Sequence, residues 1–189
     1  IYRVSSPGHL ELMSAKPNVF PTTRRPSDAA AGDLNGDGWP DVAIAMLRAG
    51  NFSALQPGAE DMILMNRGGH FELIGLTPTS FGMTQTLTMA DIDSDGRADI
   101  VESVNYSGVT GASRILLNRT EPGARYPTFE VSPHTFDQES FGMGTAIEDI
   151  NGDGILDIFN TSVGRDYMMV GSPDGSYTDR TSELGFHHE

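Results

Sequence analysis

The sequence feature that most constrains this fold is a nine-residue acidic motif that occurs three times. The motif spans residues 33–41, 91–99 and 149–157, so that successive copies begin 58 residues apart. Each copy has the pattern D-x-[DN]-x-D-G-x-x-D. A constant period of this length is typical of repeat architectures, in which each repeat is one supersecondary unit. The spacing therefore predicts three equivalent units, each with one acidic loop.

The residue types in the motif indicate a metal site. An oxygen-bearing side chain stands at loop positions 1, 3, 5 and 9, and glycine stands at position 6. A tight turn directs alternate side chains inward, so we expect these four to converge. Carboxylate and amide oxygens without sulfur or imidazole suit a hard cation with six to eight oxygen ligands, which favours calcium. Without a cation the carboxylates would repel one another.

Composition limits the partners of this chain. Its formal net charge is −14, and the three motifs contain 10 of its 26 acidic residues. Such a charge argues against binding to nucleic acid or to an anionic membrane. The chain has no cysteine, which excludes disulfides and thiolate metal sites, and no apolar run approaches the roughly 20 residues of a membrane span. Because the chain starts at Ile1 rather than Met, we expect a processed or trimmed product.

Short segments around each motif predict β-strands. They alternate with period two or consist of branched apolar residues, and turns rich in Gly, Asn or Pro separate them. Four antiparallel strands per repeat predict an all-β fold made of β-propeller blades. The predicted strands are 86–90 and 144–148 before the motif, then 41–46, 99–104 and 157–162, then 62–65, 114–117 and 167–170, and last 70–73, 128–131 and 176–179.

The repeats predict one propeller segment over residues 1–189. Residues 1–20 resemble the outer two strands of a preceding blade, and blades are predicted over 21–80, 81–138 and 139–189. About three and a half blades do not close a ring, because closed propellers have about four to eight blades. The rest of the ring is then supplied by a longer chain or by self-association with other copies, and the first alternative is favoured.

Two short sequences complete a resemblance to a known family. Ser80-Phe81-Gly82 and Ser140-Phe141-Gly142, each followed by the acidic motif, resemble the FG-GAP/VCBS repeat of integrin α subunits, fungal lectins and secreted bacterial proteins. The resemblance implies a propeller with three Ca²⁺ sites, one between the first two strands of each blade. The implied side-chain ligands are Asp33, Asn35, Asp37, Asp41, Asp91, Asp93, Asp95, Asp99, Asp149, Asn151, Asp153 and Asp157, and the implied backbone carbonyl ligands belong to Trp39, Arg97 and Ile155.

The repeats also differ from one another and from the family pattern. The first unit has Thr23-Arg24-Arg25 in place of Phe-Gly, so its first strand is expected to be irregular. Phe81 lies ten residues before its motif, whereas Phe141 lies eight before the next one. Phe81, Phe141, Met83 and Met143 are expected in the core. For Trp39, packing over the neighbouring blade is favoured over stacking on a sugar.

The acidic motifs and their surroundings allow three interpretations other than calcium loops. An EF-hand requires an acidic ligand at position 12 and helical flanks, but position 12 is Ile44, Glu102 or Asn160 and the flanks are strand-like. Asx turns without metal form the second alternative. The third is catalysis, for which the sequence contains no recognised motif.

In a eukaryotic secreted protein, Asn51 and Asn118 would be the best glycosylation acceptors, because both are predicted in loops.

These observations predict an extracellular, secreted or cell-surface protein without catalytic residues. The first hypothesis is a calcium-stabilised adhesion or scaffold module with a protein ligand, since even weak calcium sites are filled outside the cell. The alternative is a carbohydrate-binding propeller with a glycan ligand held between blades. A polysaccharide-active enzyme on the same scaffold is disfavoured, because repeats supply equivalent residues whereas catalysis needs one unit to differ.

Overall fold

The computed structural model describes residues 2–6, 9–12, 24–49, 60–78, 83–105, 113–134 and 142–185. Within these ranges the chain forms strands and turns only. The strands are β1 (Tyr2–Ser6), β2 (His9–Leu12), β3 (Arg24–Gly32), β4 (Asp41–Ala49), β5 (Met62–Asn66), β6 (Phe71–Gly75), β7 (Met83–Ala90), β8 (Asp99–Asn105), β9 (Arg114–Asn118), β10 (Phe129–Val131), β11 (Gly142–Glu148), β12 (Asp157–Ser162), β13 (Tyr167–Gly171) and β14 (Tyr177–Asp179).

Three four-stranded antiparallel sheets follow one another along the chain. Blade 1 contains β3 to β6, blade 2 contains β7 to β10 and blade 3 contains β11 to β14, each with its strands in sequence order. The hairpin of β1 and β2 precedes them as a separate two-stranded sheet. The predicted all-β architecture of propeller blades is confirmed. The exact blade boundaries at residues 20, 80 and 138 stay predictions.

The first strand of every blade contains a bulge at the same place. The register shifts between Pro26 and Asp28 in β3, between Thr84 and Thr86 in β7, and between Gly142 and Gly144 in β11. The expected irregularity of the first unit is confirmed, with a further shift between Arg25 and Pro26. A bulge leaves one residue unpaired and bends the strand, so the bend belongs to the repeat and not to one blade.

The bulge explains why one core prediction is wrong. Met83 is buried as expected, but Met143 is exposed. Met143 lies at the register shift of β11, and the residue at the register shift of β7 is Gln85 rather than Met83. Phe81 and Phe141 lie outside the described residues.

Apolar side chains between neighbouring blades form the core. Because successive side chains of a strand point to opposite faces, each central strand contributes to the contact with the preceding blade and to the contact with the next. The contact between blades 1 and 2 contains Leu34, Ala43, Ala45, Ile63, Met65, Leu76, Leu87, Ile100, Leu116 and Phe129. The contact between blades 2 and 3 contains Val101, Ile115, Ile158, Tyr167 and Met169.

A polar residue before the third strand of each blade caps a backbone amide in the last part of the second strand. Asp61 Oδ1 accepts a hydrogen bond from the Met46 amide at 2.6 Å. Ser113 Oγ accepts one from the Val104 amide at 2.9 Å, and Asp166 Oδ1 accepts one from Ser162 at 2.9 Å. The cap therefore occurs in every blade, but the capping residue is an aspartate in blades 1 and 3 and a serine in blade 2. In blade 1 it places a carboxyl group in the core.

That carboxyl group forms a buried acid pair with blade 2. Asp61 and Glu102 are 1% and 0% exposed, and Asp61 Oδ2 also accepts a hydrogen bond from Thr84 Oγ1 at 2.6 Å. Arg114 donates to Oε2 of Glu102, whereas Oε1 accepts no N–H or hydroxyl among the described residues. The Asp61 and Glu102 carboxyls interact at close range in this buried site, and a hydrogen bond between them would require one proton. Burial, followed by repulsion from Glu102, raises the pKa of Asp61 to about 8.

Candidate metal centres

The three acidic loops occupy the same position in all three blades. Each one connects the first strand of a blade to the second, immediately after β3, β7 and β11. We refer to residues 33–41, 91–99 and 149–157 as loops 1, 2 and 3. Position 6 has a φ of 85° in Gly38 and of 86° in Gly96 and Gly154. Only glycine adopts this conformation without strain, which explains why it recurs there.

The aspartate at position 1 folds each loop around itself. Asp33 Oδ1 accepts hydrogen bonds from the amides of Gly36 and Asp37 at 2.8 and 3.2 Å, and its Oδ2 accepts one from Gly38 at 2.8 Å. Asp91 and Asp149 accept equivalent amide hydrogen bonds at 2.7 to 3.1 Å. The turn is thus held by hydrogen bonds within the loop.

The aspartate at position 9 joins each loop to the third strand of its blade. Asp41, Asp99 and Asp157 are fully buried. One oxygen of each accepts the amide of loop position 2, at 2.8 to 3.1 Å, and the other accepts the amide of Asn66, Asn118 or Gly171, at 2.7 to 2.9 Å. Burial raises the pKa of Asp99 to about 6, and it also raises the pKa of Asp41.

Positions 3, 5 and 7 form the outer part of each loop. In loops 1 and 3 the amide nitrogens of Asn35 and Asn151 donate to Asp37 and Asp153, both at 3.0 Å. The backbone amide of position 7 donates to the position-5 carboxylate in all three loops, at 2.8 to 3.0 Å. The position-7 residues are Trp39, Arg97 and Ile155.

Loop 2 differs because arginine side chains contact its carboxylates. Arg119 Nη1 lies 2.5 Å from Asp93 Oδ2 and 3.0 Å from Asp95 Oδ2, and Arg97 also donates to Asp95. Arg119 Nε is 3.2 Å from Glu130. In loop 1 the equivalent Arg67 is more distant, 3.9 Å from Asp37 Oδ2. Loop 2 thus has four carboxylates and two guanidinium groups that partly neutralise them.

Two observations indicate that the loops suit a hard divalent cation. Asp91, Asp93 and Asp99 each have a carboxylate oxygen within 4.8 Å of the others. In loop 1, Asn35 is 2% exposed, and its Oδ1 has no hydrogen-bond donor among the described residues. A buried acceptor without a donor costs free energy unless another positive group satisfies it. A calcium ion would supply that positive charge.

Two further sequence predictions concern single residues near the loops. The Trp39 ring lies near Gly68 of its own blade and is 50% exposed, and its packing over a neighbouring blade stays a prediction. Glu102, at position 12, pairs with Arg114 in a strand instead of acting as an EF-hand ligand.

The prediction that Asn118 lies in an exposed loop is wrong. Asn118 ends β9, is 1% exposed and uses its side chain in hydrogen bonds within the protein. Oligosaccharide attachment requires an accessible asparagine, so Asn118 is a poor acceptor. Asn51 lies outside the described residues.

A repeated residue pair in the sequence indicates the role of Asn118. The pair Asn66-Arg67 ends the third strand of blade 1, and the pair Asn118-Arg119 ends that of blade 2. Asn66 Nδ2 donates to the position-8 carbonyl of its own loop, Pro40 O, at 3.1 Å. The same Asn-Arg pair at equivalent positions marks residues that support the acidic loops.

A groove separates loop 2 from blade 3. It has a volume of about 350 Å³ and combines apolar walls with polar groups at its edge. Tyr177 and Ile155 contribute apolar surface, and Arg119, His134 and Asp174 contribute charge or hydrogen-bonding groups. The arrangement can accommodate a small polar ligand.

Comparison with known proteins gives two similarities. Residues 26–50 match the FG-GAP repeat family. The chain is also 28% identical over 165 residues to integrin alpha-PS2 of Drosophila melanogaster, which covers 76% of this chain and 11% of that protein. Both similarities support an FG-GAP, integrin alpha-like repeat. Within the described residues, no helix has the length and apolar character needed to cross a membrane.

Proposed function

We propose that this chain, an FG-GAP and integrin alpha-like repeat protein, is a calcium-stabilised propeller segment that acts in adhesion at the cell surface or outside the cell. It presents a rigid surface to a protein ligand and carries out no reaction. Its blades are held by calcium at the acidic loops. Extracellular calcium is near millimolar, so sites of modest affinity would be filled there.

The observation that carries the proposal is the buried Asn35 Oδ1 without a donor, in a loop that recurs in every blade. The proposed side-chain ligands are those at positions 1, 3, 5 and 9, and the proposed carbonyl ligands are those of Trp39, Arg97 and Ile155. The side chains at positions 1 and 9 already bind amides that shape the loop. Calcium would add neutralisation of the carboxylates and satisfy the remaining oxygens.

Calorimetric titration with calcium, combined with thermal unfolding, tests the stabilising role. We expect three ions per chain and a higher Tm with calcium than with EDTA. At a calcium concentration 100 times Kd, each site contributes about 2.7 kcal/mol, which corresponds to a rise of about 5 to 10 °C for a protein of this size. Asp33→Asn, Asp91→Asn and Asp149→Asn should each remove one ion, and an identical melting curve in EDTA would sink the proposal.

The adhesive role rests on the similarity to an integrin α subunit. Displaying the chain on non-adherent cells should make them aggregate or attach in the presence of calcium. The matched control is the triple substitution of Asp33, Asp91 and Asp149 by Asn, displayed at the same density. Equal attachment by both chains would separate adhesion from the calcium loops, and no attachment by either would contradict the adhesive role.

A carbohydrate-binding propeller is the second candidate, and the groove between blades 2 and 3 favours it. An aromatic side chain such as Tyr177 beside polar groups is suited to a sugar ring and its hydroxyls. A glycan array in calcium tests this function, with Tyr177→Ala as the variant and Tyr126→Ala, outside this groove, as the control. Binding to no glycan, or equal binding by both variants, would count against it.

A further inference from the structure

The side chain of Asn118 lies between loop 1 and loop 2. Its Nδ2 donates to the carbonyl oxygen of Leu34 in loop 1 and to that of Ala98 in loop 2, both at 3.0 Å. Its backbone amide donates to Asp99 Oδ1 at 2.7 Å. Its own Oδ1 accepts the Thr120 amide at 3.0 Å, which fixes the orientation of the side chain. One buried residue therefore contacts both loops directly.

The turn after Asn118 adds contacts to the same two loops. On the loop 2 side, Arg119 contacts Asp93 and Asp95. On the loop 1 side, the Ala124 carbonyl accepts Asn35 Nδ2 at 2.9 Å, and the Gly123 amide donates to Asn35 O at 3.0 Å. The nitrogen of Asn35 is thus anchored to blade 2, which leaves its Oδ1 for the cation.

Blade 3 has no equivalent connection to loop 2 among the described residues. Gly171 replaces Asn118, and its backbone amide still binds Asp157 at 2.9 Å. A Cβ at Gly171 would lie 2.6 Å from the Leu156 carbonyl oxygen, so the backbone there leaves no room for a side chain. The groove described above lies where blade 2 places Asn118 and its turn at the preceding junction.

We propose that Asn118 couples the cation sites of loops 1 and 2, so that an ion in either loop raises the affinity of the other, while loop 3 binds independently. This inference rests on the proposed calcium function. An ion in loop 2 would hold Ala98 and Asp99 in place, and both of these residues accept hydrogen bonds from Asn118. Asn118 in turn holds the Leu34 carbonyl, which precedes Asn35 in loop 1. The second ion then orders fewer groups, which is a source of positive coupling.

Arg119 opposes this coupling but contributes less. A cation in loop 2 competes with its guanidinium for Asp93 and Asp95, which loosens one contact of the turn. The Arg119 side chain is 35% exposed and keeps Glu130 as a partner, and exposed ion pairs contribute little. Asn118 is buried and makes its hydrogen bonds to backbone carbonyls and a buried carboxylate, so its effect determines the sign.

The experiment uses Tb³⁺ as the probe and Trp39 as the reporter. Trp39 is the only tryptophan of the chain and belongs to loop 1, so Tb³⁺ luminescence sensitised by tryptophan excitation measures occupancy of loop 1. We expect Asp91→Asn, which disables loop 2, to weaken Tb³⁺ binding in loop 1 by about fivefold or more. Asp149→Asn, the same change in loop 3, should leave that affinity unchanged.

A double-mutant cycle assigns the coupling to Asn118. In an Asn118→Ala chain, Asp91→Asn should no longer alter the affinity of loop 1, an outcome that a merely structural role would not produce. If Asn118→Ala does not fold, the comparison of Asp91→Asn with Asp149→Asn decides alone. Equal effects of these two variants overturn the coupling and leave the calcium function intact. An absence of metal binding by the wild-type chain overturns both.

Discussion

The two junctions between blades differ although the blades have the same fold. Between blades 1 and 2, Asn118 and its turn cover loop 1, and a buried Asp61–Glu102 pair crosses the interface. Between blades 2 and 3, Gly171 ends the equivalent strand and a groove remains beside loop 2. The residue at the end of the third strand therefore determines whether neighbouring acidic loops are connected.

The largest difference between the junctions should appear on removing the position-9 aspartate. Asp99→Ala leaves the Ile92 and Asn118 amides without acceptors and loosens Asn118, so we expect a loss of about 3 to 5 kcal/mol. Asp157→Ala removes the same two kinds of hydrogen bond in blade 3 and should cost about 2 to 3 kcal/mol. Urea unfolding in EDTA measures both without a contribution from bound ions. Equal losses would show that Asn118 adds nothing at its junction.

The next largest effect should come from changing the residue that distinguishes the junctions. Asn118→Gly removes the hydrogen bonds to Leu34 and Ala98, and it should destabilise the chain by about 2 kcal/mol. Gly171→Ala should cost about 1 to 3 kcal/mol for a different reason, because its Cβ meets a backbone oxygen. Unfolding in urea gives both values. A neutral Gly171→Ala would mean that the Leu156 carbonyl moves freely, and the contrast between the blades would weaken.

The buried acid pair should give the first junction its own pH dependence. The pKa of Asp61 is about 8 in the folded chain, compared with an ordinary value of 3.8. Between these values the folded state keeps a proton that the unfolded state has lost, so stability decreases as pH rises from about 4 to about 8. The slope from this group is at most about 1.4 kcal/mol per pH unit.

Asp61→Asn tests this interpretation, because an amide can donate to Glu102 at every pH. Its stability should depend less on pH than that of the wild type over this interval, measured by urea unfolding at a fixed calcium concentration. Asp166→Asn, at the equivalent cap in blade 3, is the control. Parallel pH profiles for wild type and Asp61→Asn would exclude a shared proton at this junction.

The smallest effect is expected at the surface of the first junction. The Tyr126 hydroxyl donates to Glu72 Oε1 at 2.9 Å, and Arg67 and Arg125 lie over the Tyr126 ring. Tyr126→Phe keeps the ring and removes the hydroxyl, so Tm should change by less than about 2 °C, because exposed polar contacts contribute little. If Tyr126→Phe lowered the Tm as much as Asn118→Gly does, the surface contacts of this junction would contribute as much to stability as its buried ones.

The sequence allowed prediction of the features that repeat. The 58-residue period and the alternating segments predicted the sheets, and the acidic loops lie where they were expected. These features depend on a local sequence pattern that occurs in each copy of the repeat. The bulges were missed in two blades because Gln85 and Met143 have no side-chain property in common that marks the position of the register shift.

The junctions were not predictable in the same way, because their contacts join residues far apart in the chain. Asn118 lies 84 residues from Leu34, and Asn35 lies 89 residues from Ala124. An asparagine at the end of a strand equally suits a turn, so its type alone did not indicate a buried position. Glu102 stands in an apolar strand, and only the fold shows that Asp61 and Arg114 are its partners.

The distance between Asn118 and Leu34 has a consequence for the order of folding. Each four-stranded sheet pairs only consecutive strands, so its hydrogen bonds form between residues that are close in sequence, which favours early formation. The Leu34 carbonyl receives Asn118 only after most of the next blade has been synthesised. We therefore expect a newly made first blade to pair its strands early, while its acidic loop is completed by the blade that follows.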